Sequence, residues 1–145
     1  MEYNDTVKLL RECDAGTKMA VQSLDDAMTK THNEALIHLL TQSKREHSQL
    51  GDHLHKLLSE KGVSDKEPPA MAKTMAHIQN TVKLGINGSD DPGIAEFITD
   101  GCNMGTKNLA KYLNQYKNAS GDARSICGKL INLEDKLVSE LRLYL

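Results

Sequence analysis

All three prolines of this 145-residue chain, Pro68, Pro69 and Pro92, fall between residues 68 and 92. Proline lacks a backbone donor and its ring clashes with the preceding turn, so helix interiors exclude it. The proline-free stretches on either side are therefore open to long helices. Composition points the same way. Strands favour aromatic and β-branched residues, yet aromatics make up 3% of the chain, with no Trp, one Phe and four Tyr. Nineteen Leu and six Met suit helices that pack through aliphatic side chains. The expected class is all-α.

Local signals divide the chain further. Ser64-x-x-Glu67 before Pro68 reads as a capping box with proline at a helix start, and Asp91-Pro92 as a second start. Gly85, Asn87 and Gly88 form a stop between them, Thr31-x-x-Glu34 is another capping box, and Ser120-Gly121-Asp122 is a turn. Helices are expected over about 3–30, 33–61, 68–86, 92–118 and 122–145. Apolar periodicity agrees. Tyr3, Val7, Leu10, Asp14, Thr17, Val21, Leu24 and Met28 advance in steps of four and three, the spacing of one face of a bundle helix. Leu36, Leu40, Ser43, His47, Leu50, Leu54 and Leu57 repeat the pattern, as do Ala123, Cys127, Leu130, Glu134, Leu137, Leu141 and Tyr144. Ile98, Cys102, Gly105, Leu109, Tyr112 and Tyr116 share a side of the third long helix. Met71, Met75, Ile78 and Val82 form a shorter stripe suited to covering an edge or end of the bundle.

An internal repeat organises these pieces. Cys13-Asp14-Ala15-Gly16-Thr17-Lys18 recurs as Cys102-Asn103-Met104-Gly105-Thr106-Lys107. Each copy sits midway along the first helix of a predicted hairpin. With a two-residue shortening of the second turn, Leu50, Leu54 and Leu58 align with Leu137, Leu141 and Leu145. The expectation is one domain over 1–145, with hairpin 1 at about 1–61, a crossover at about 62–91 and hairpin 2 at about 92–145. Two hairpins joined by one long connection make a ferritin-like four-helix bundle. This layout, the repeat and the CxxG stretch resemble the ferritin-like superfamily, in particular its small bacterial branches. The resemblance brings with it an association with stress or the spore coat.

Di-iron members of that superfamily place a Glu on each of two helices and a Glu-x-x-His on each of the other two. This chain departs from the pattern. Glu46 is followed three residues later by Gln49 and Glu134 by Leu137, while no His follows His77. Asp14 could replace one carboxylate, but its repeat partner is Asn103. A standard di-iron centre is not expected. The core stripes are nevertheless interrupted: Asp14 and His47 are equidistant from the first turn, and Asn103 and Glu134 from the second. Asp14, His47, Asn103 and Glu134 are thus expected to meet in a polar core layer. One reading of that layer is a hydrogen-bonded network that fixes helix register. The other is a degenerate metal site of Asp14, His47 and Glu134, with Glu46 nearby, taking iron or zinc.

Other chemistries have little foothold. A net charge of −2 argues against a broad nucleic-acid face. No apolar run approaches the roughly 18 residues of a membrane span. No basic-then-apolar leader follows Met1. Cys13, Cys102 and Cys127 make an odd count without zinc-type spacing, which suggests a reducing cytoplasm and buried thiols. There is no GxSxG elbow, and Gly85-x-x-Gly88 lacks the Lys-Ser/Thr of a phosphate loop. Lys61-Gly62 has no His three residues before the lysine, as a phosphotransfer bundle of the HxxKG type would require. His53 and His55, beside Asp52, are expected on an exposed face without a role. The expected role is non-enzymatic, structural or interactive, in a homodimer or larger homo-oligomer or with a protein partner, without a cofactor. The alternative is a metal-binding or iron-oxidising bundle.

Overall fold

Polar side chains at the chain reversals take up the free N–H groups that begin each new helix. In the computed structural model, which describes residues 2–63 and 90–145, α1 spans Glu2–Met28 and α2 spans Glu34–Glu60. The third and fourth helices are α3, Asp91–Gln115, and α4, Gly121–Leu141, which ends in a 3₁₀ turn, Arg142–Tyr144. Asn33 caps α2 by accepting the Leu36 N–H at 3.1 Å. Asp90 caps α3 through the Gly93 N–H at 2.9 Å, with Pro92 in the first turn, and Ser120 caps α4 through the Ala123 N–H. Thr31 is not the cap expected of its Thr-x-x-Glu box. Its hydroxyl accepts the Asn33 N–H and donates to the Asp91 carboxylate, tying the first turn to the start of α3. The crossover helix expected at 68–86, its capping box, the Gly85–Gly88 stop and the methionine stripe lie outside the described residues.

Contacts at the ends give the topology. The Tyr3 hydroxyl donates to the Lys61 carbonyl at 2.8 Å, so α1 begins where α2 ends. Asp5 accepts the Asn118 N–H and Thr6 the Ser120 N–H, which brings the α3–α4 turn to that same end. The Thr31–Asp91 bond marks the opposite end. Helices α1 and α4 therefore run one way and α2 and α3 the other, the ferritin-like arrangement. Helix α1 packs on α2 and α3, and α4 packs on α3 and α2. Helices α1 and α4 also touch across the bundle.

Among the described residues the interior holds two aliphatic clusters. One holds Leu24, Leu36, Leu40, Ile94, Ile98, Leu137 and Leu141 near the first turn. The other holds Leu9, Leu10, Leu54, Leu109, Ile126 and Leu130 near the second. Each fully buried Leu or Ile contributes about 1.5–3 kcal/mol of transfer free energy. The first residue of the repeat word is buried in both copies, with Cys13 in one cluster and Cys102 in the other. That exchange of ends is what two antiparallel copies of one hairpin produce. The leucine frame holds until the terminus, where Leu58 is buried but its counterpart Leu145 is exposed beyond the end of α4.

Candidate functional site: the polar waist

Between the two clusters the buried side chains turn polar. Asp14 and Thr17 on α1, Ser43 and His47 on α2 and Glu134 on α4 are all buried. His47 is fully enclosed. Its Nδ1–H donates to the Ser43 carbonyl one turn back, at 2.8 Å, and its Nε2 has no hydrogen-bond partner among the described residues. Burial pulls its pKa below the usual histidine value, against the pull of the Ser43 carbonyl and Glu46 in the other direction. The ring is a neutral imidazole with its proton on Nδ1.

Glu134 is buried by different means. A methyl group placed on Gly105 would lie 2.6 Å from Glu134 Oε2. The carboxyl thus fills a slot that exists because α3 carries no side chain there. Oε2 has no hydrogen-bond partner among the described residues. Burial first, then the charges of Asp135 and Cys127, push its pKa up to about 8. At neutral pH Glu134 is a protonated acid.

Asp14 is held from two sides. Lys18 Nζ lies 3.0 Å from Oδ2 and His55 Nε2 lies 3.2 Å from Oδ1. The His55 approach falls outside hydrogen-bond geometry, so it is an ion pair only when the ring is protonated. Glu46 faces outward. It accepts from Gln42 Nε2 at 3.1 Å and Lys136 Nζ at 3.2 Å, and it lines a groove of about 280 Å³ with Gln49, Leu50, His53, Lys129 and Leu133. Burial raises its pKa, but Gln42 and Lys136 together outweigh it and leave the carboxyl below the ordinary range.

Two expectations about this layer need correction. Asn103 is exposed; its neighbour Cys102 takes the buried position on α3. Asp14 meets His55 rather than His47, which is about two turns away along α2. Helical side chains lean toward their own N-terminus. In an antiparallel hairpin the tips that touch therefore lie further along the second helix than equal counting from the turn suggests. Thr17 against Gly51 shows the same displacement. His55, expected on the surface without a role, is consequently a partner of the waist.

Among the described residues, no three His, Cys, Asp or Glu side chains come together as a group able to hold a metal ion. The set needed for a di-iron centre is not assembled. Glu134 is followed one turn on by Leu137, Glu46 turns outward and α3 supplies no inward carboxylate at Asn103. The residues do not fit that centre.

No family model and no curated protein sequence matches the chain. Its structure is similar to that of Dps92 from Deinococcus radiodurans, with a TM-score of 0.82 and 13% sequence identity, covering 99% of this chain and 87% of that one. The fold is ferritin-like. At this identity the likeness is one of architecture, and the waist of the ferritin-like bundle has to be understood from its own residues. Sequence reasoning overlooked the slot at Gly105 and the opposition of Cys13 to Cys127. The first has a signal in the sequence, a glycine on the inward stripe of α3. The second has none, because it depends on how the two hairpins dock.

Proposed function

We propose that this chain is a non-enzymatic ferritin-like module, one bundle domain over residues 1–145, acting as a structural or interaction protein. The observation that carries the reading is the separation of the waist groups. His47 is bonded to its own helix, Asp14 is held by Lys18 and His55, and Glu134 is a neutral acid in a glycine slot. A site built for a charged metal would turn two or three of these toward one point. Asp14, His47 and Glu134 act instead as polar positions that distinguish one packing of the hairpins from another. The cytoplasm suits three free, buried cysteines. No helix among the described residues is long and apolar enough to cross a membrane. Exposed Met104, Leu143 and Leu145 support a homodimer or larger homo-oligomer, and the similarity in fold to a Dps protein supports a stress-associated setting.

The test joins metal content to assembly state. Protein purified without a histidine tag is loaded with iron(II) or zinc(II), desalted and measured by elemental analysis, with oxygen uptake followed for iron. Sedimentation gives its mass relative to the 16.0 kDa chain. No stoichiometric metal and a mass of two or more chains are expected. Stoichiometric metal that is lost in both His47→Leu and Glu134→Gln would replace this reading with a metal-binding one.

A further inference from the structure

Helices α1 and α4 run parallel and touch across the bundle, and they keep a constant register. The Thr6 hydroxyl accepts the Ser120 N–H at 2.8 Å. Two turns further along each helix stand Cys13 and Cys127, and one turn beyond them a methyl on Gly16 would lie 4.0 Å from Leu130 Cδ2. The separation in sequence is the same at all three levels, so the two cysteines are directly opposed. Both side chains lie in the same core cluster, where the Cys127 thiol donates to the Leu109 carbonyl at 3.9 Å. Both are fully buried in one cluster, whereas Cys102 is in the other.

We propose that Cys13 and Cys127 form a redox-modifiable pair that closes as a disulfide between the two hairpins. A fully buried pair is reached only by a small, uncharged oxidant during local opening of the seam, and hydrogen peroxide is such a reagent. The Cys127 sulfur attacks one peroxide oxygen and the O–O bond breaks. The departing hydroxide takes up the proton lost by the thiol, leaving a sulfenic acid at Cys127. The Cys13 sulfur then attacks the Cys127 sulfur, the S–O bond breaks, and hydroxide leaves as water with the Cys13 proton. Two thiols lose two electrons and the peroxide is reduced to two waters. Cys127 is the better first nucleophile, since the neighbouring Cys13 thiol and the charge of Arg124 favour its thiolate against the effect of burial. The product ties a residue of the first hairpin to one of the second, a link that neither turn provides.

The folded, full-length protein is treated with hydrogen peroxide, quenched, denatured and assayed for thiols, followed by non-reducing peptide mapping. The three free thiols should fall to one, with Cys13 and Cys127 in one cross-linked peptide. The Cys102→Ser protein should form the same link and retain no free thiol. Cys127→Ser should form no intramolecular disulfide, and reductant should restore all thiols of the wild-type protein. Circular dichroism before and after treatment establishes that the reacting protein is folded. Three unmodified thiols, a link involving Cys102, or sulfinic acid at Cys127 without a link would each overturn the proposal.

Discussion

Glu134 and His47 occupy the same waist, yet they respond to protons in opposite senses. Glu134 keeps its proton in the folded protein up to about pH 8 and loses it near 4.5 when unfolded. Between those values the native state binds the extra proton, so stability falls as pH rises through this window, by an amount on the order of a few kcal/mol. His47 titrates near 6.5 in the unfolded chain and lower when buried. Its contribution is present above pH 6.5 and is lost as the pH falls. Denaturant unfolding from pH 5 to 9 separates the two groups. Glu134→Gln should remove the alkaline decline and leave the acid one, whereas His47→Leu should do the reverse and raise the melting temperature by relieving a buried orphan nitrogen. An alkaline decline that survives in Glu134→Gln would mean that another group carries it. Gly105→Ala tests the slot itself. It should cost about 1–3 kcal/mol by overpacking, but in a Glu134→Ala background the same change should become neutral or favourable, by up to about 1 kcal/mol, because alanine is the better helix former. Equal costs in both backgrounds would show that the carboxyl does not fill that space.

Helix ends were more legible than helix faces. Starts are encoded locally, in side chains such as Asp90 and Ser120 that bond a backbone N–H three residues on, so the proline and capping signals locate α3 and α4 closely. Thr31 misleads because its hydroxyl is drawn into a bond with Asp91, sixty residues away. The end of α2 carries a signal that only the backbone makes obvious. Gly62 has φ +72°, its N–H bonds to Ser59 O and the Val63 N–H reaches Leu58 O, the Schellman closure. An alanine there needs a left-handed backbone, so Gly62→Ala should lower stability by about 1 kcal/mol in denaturant unfolding. No change would mean that the turn readily adopts another conformation. Faces were harder to assign. The period placed Cys102 on the inward stripe of α3, where it is buried; counting from the turn put Asn103 there instead, and the partner of Asp14 depends on side-chain lean and helix stagger. Glu134 was placed correctly on the inward stripe, but its neutral state follows from Gly105 on another helix.

For the molecule as a whole, the decisive feature is that each aliphatic cluster draws on all four helices. Leu24, Leu36, Ile94 and Leu137 meet in one, and Leu10, Leu54, Leu109 and Leu130 in the other. Neither hairpin therefore owns a core, although the repeat makes each look like a unit in sequence. The polar waist divides the interior along the bundle axis, across the hairpins rather than between them. Continuous helices such as α1 and α2, each 27 residues or about 40 Å long, pass through it. Melting one end would leave the other cluster with helices frayed at the waist and with its buried polar groups in water. Cooperative unfolding of the whole bundle follows. Leu40→Ala and Leu130→Ala each empty a fully buried site, one in each cluster, and each should cost about 2–5 kcal/mol. Both should keep a single transition with the wild-type denaturant slope, because the slope reports the surface exposed on unfolding. If the waist uncoupled the clusters, Leu40→Ala would instead produce an early phase of partial amplitude. Helical circular dichroism and hydrogen exchange would then assign that phase to the end near the first turn.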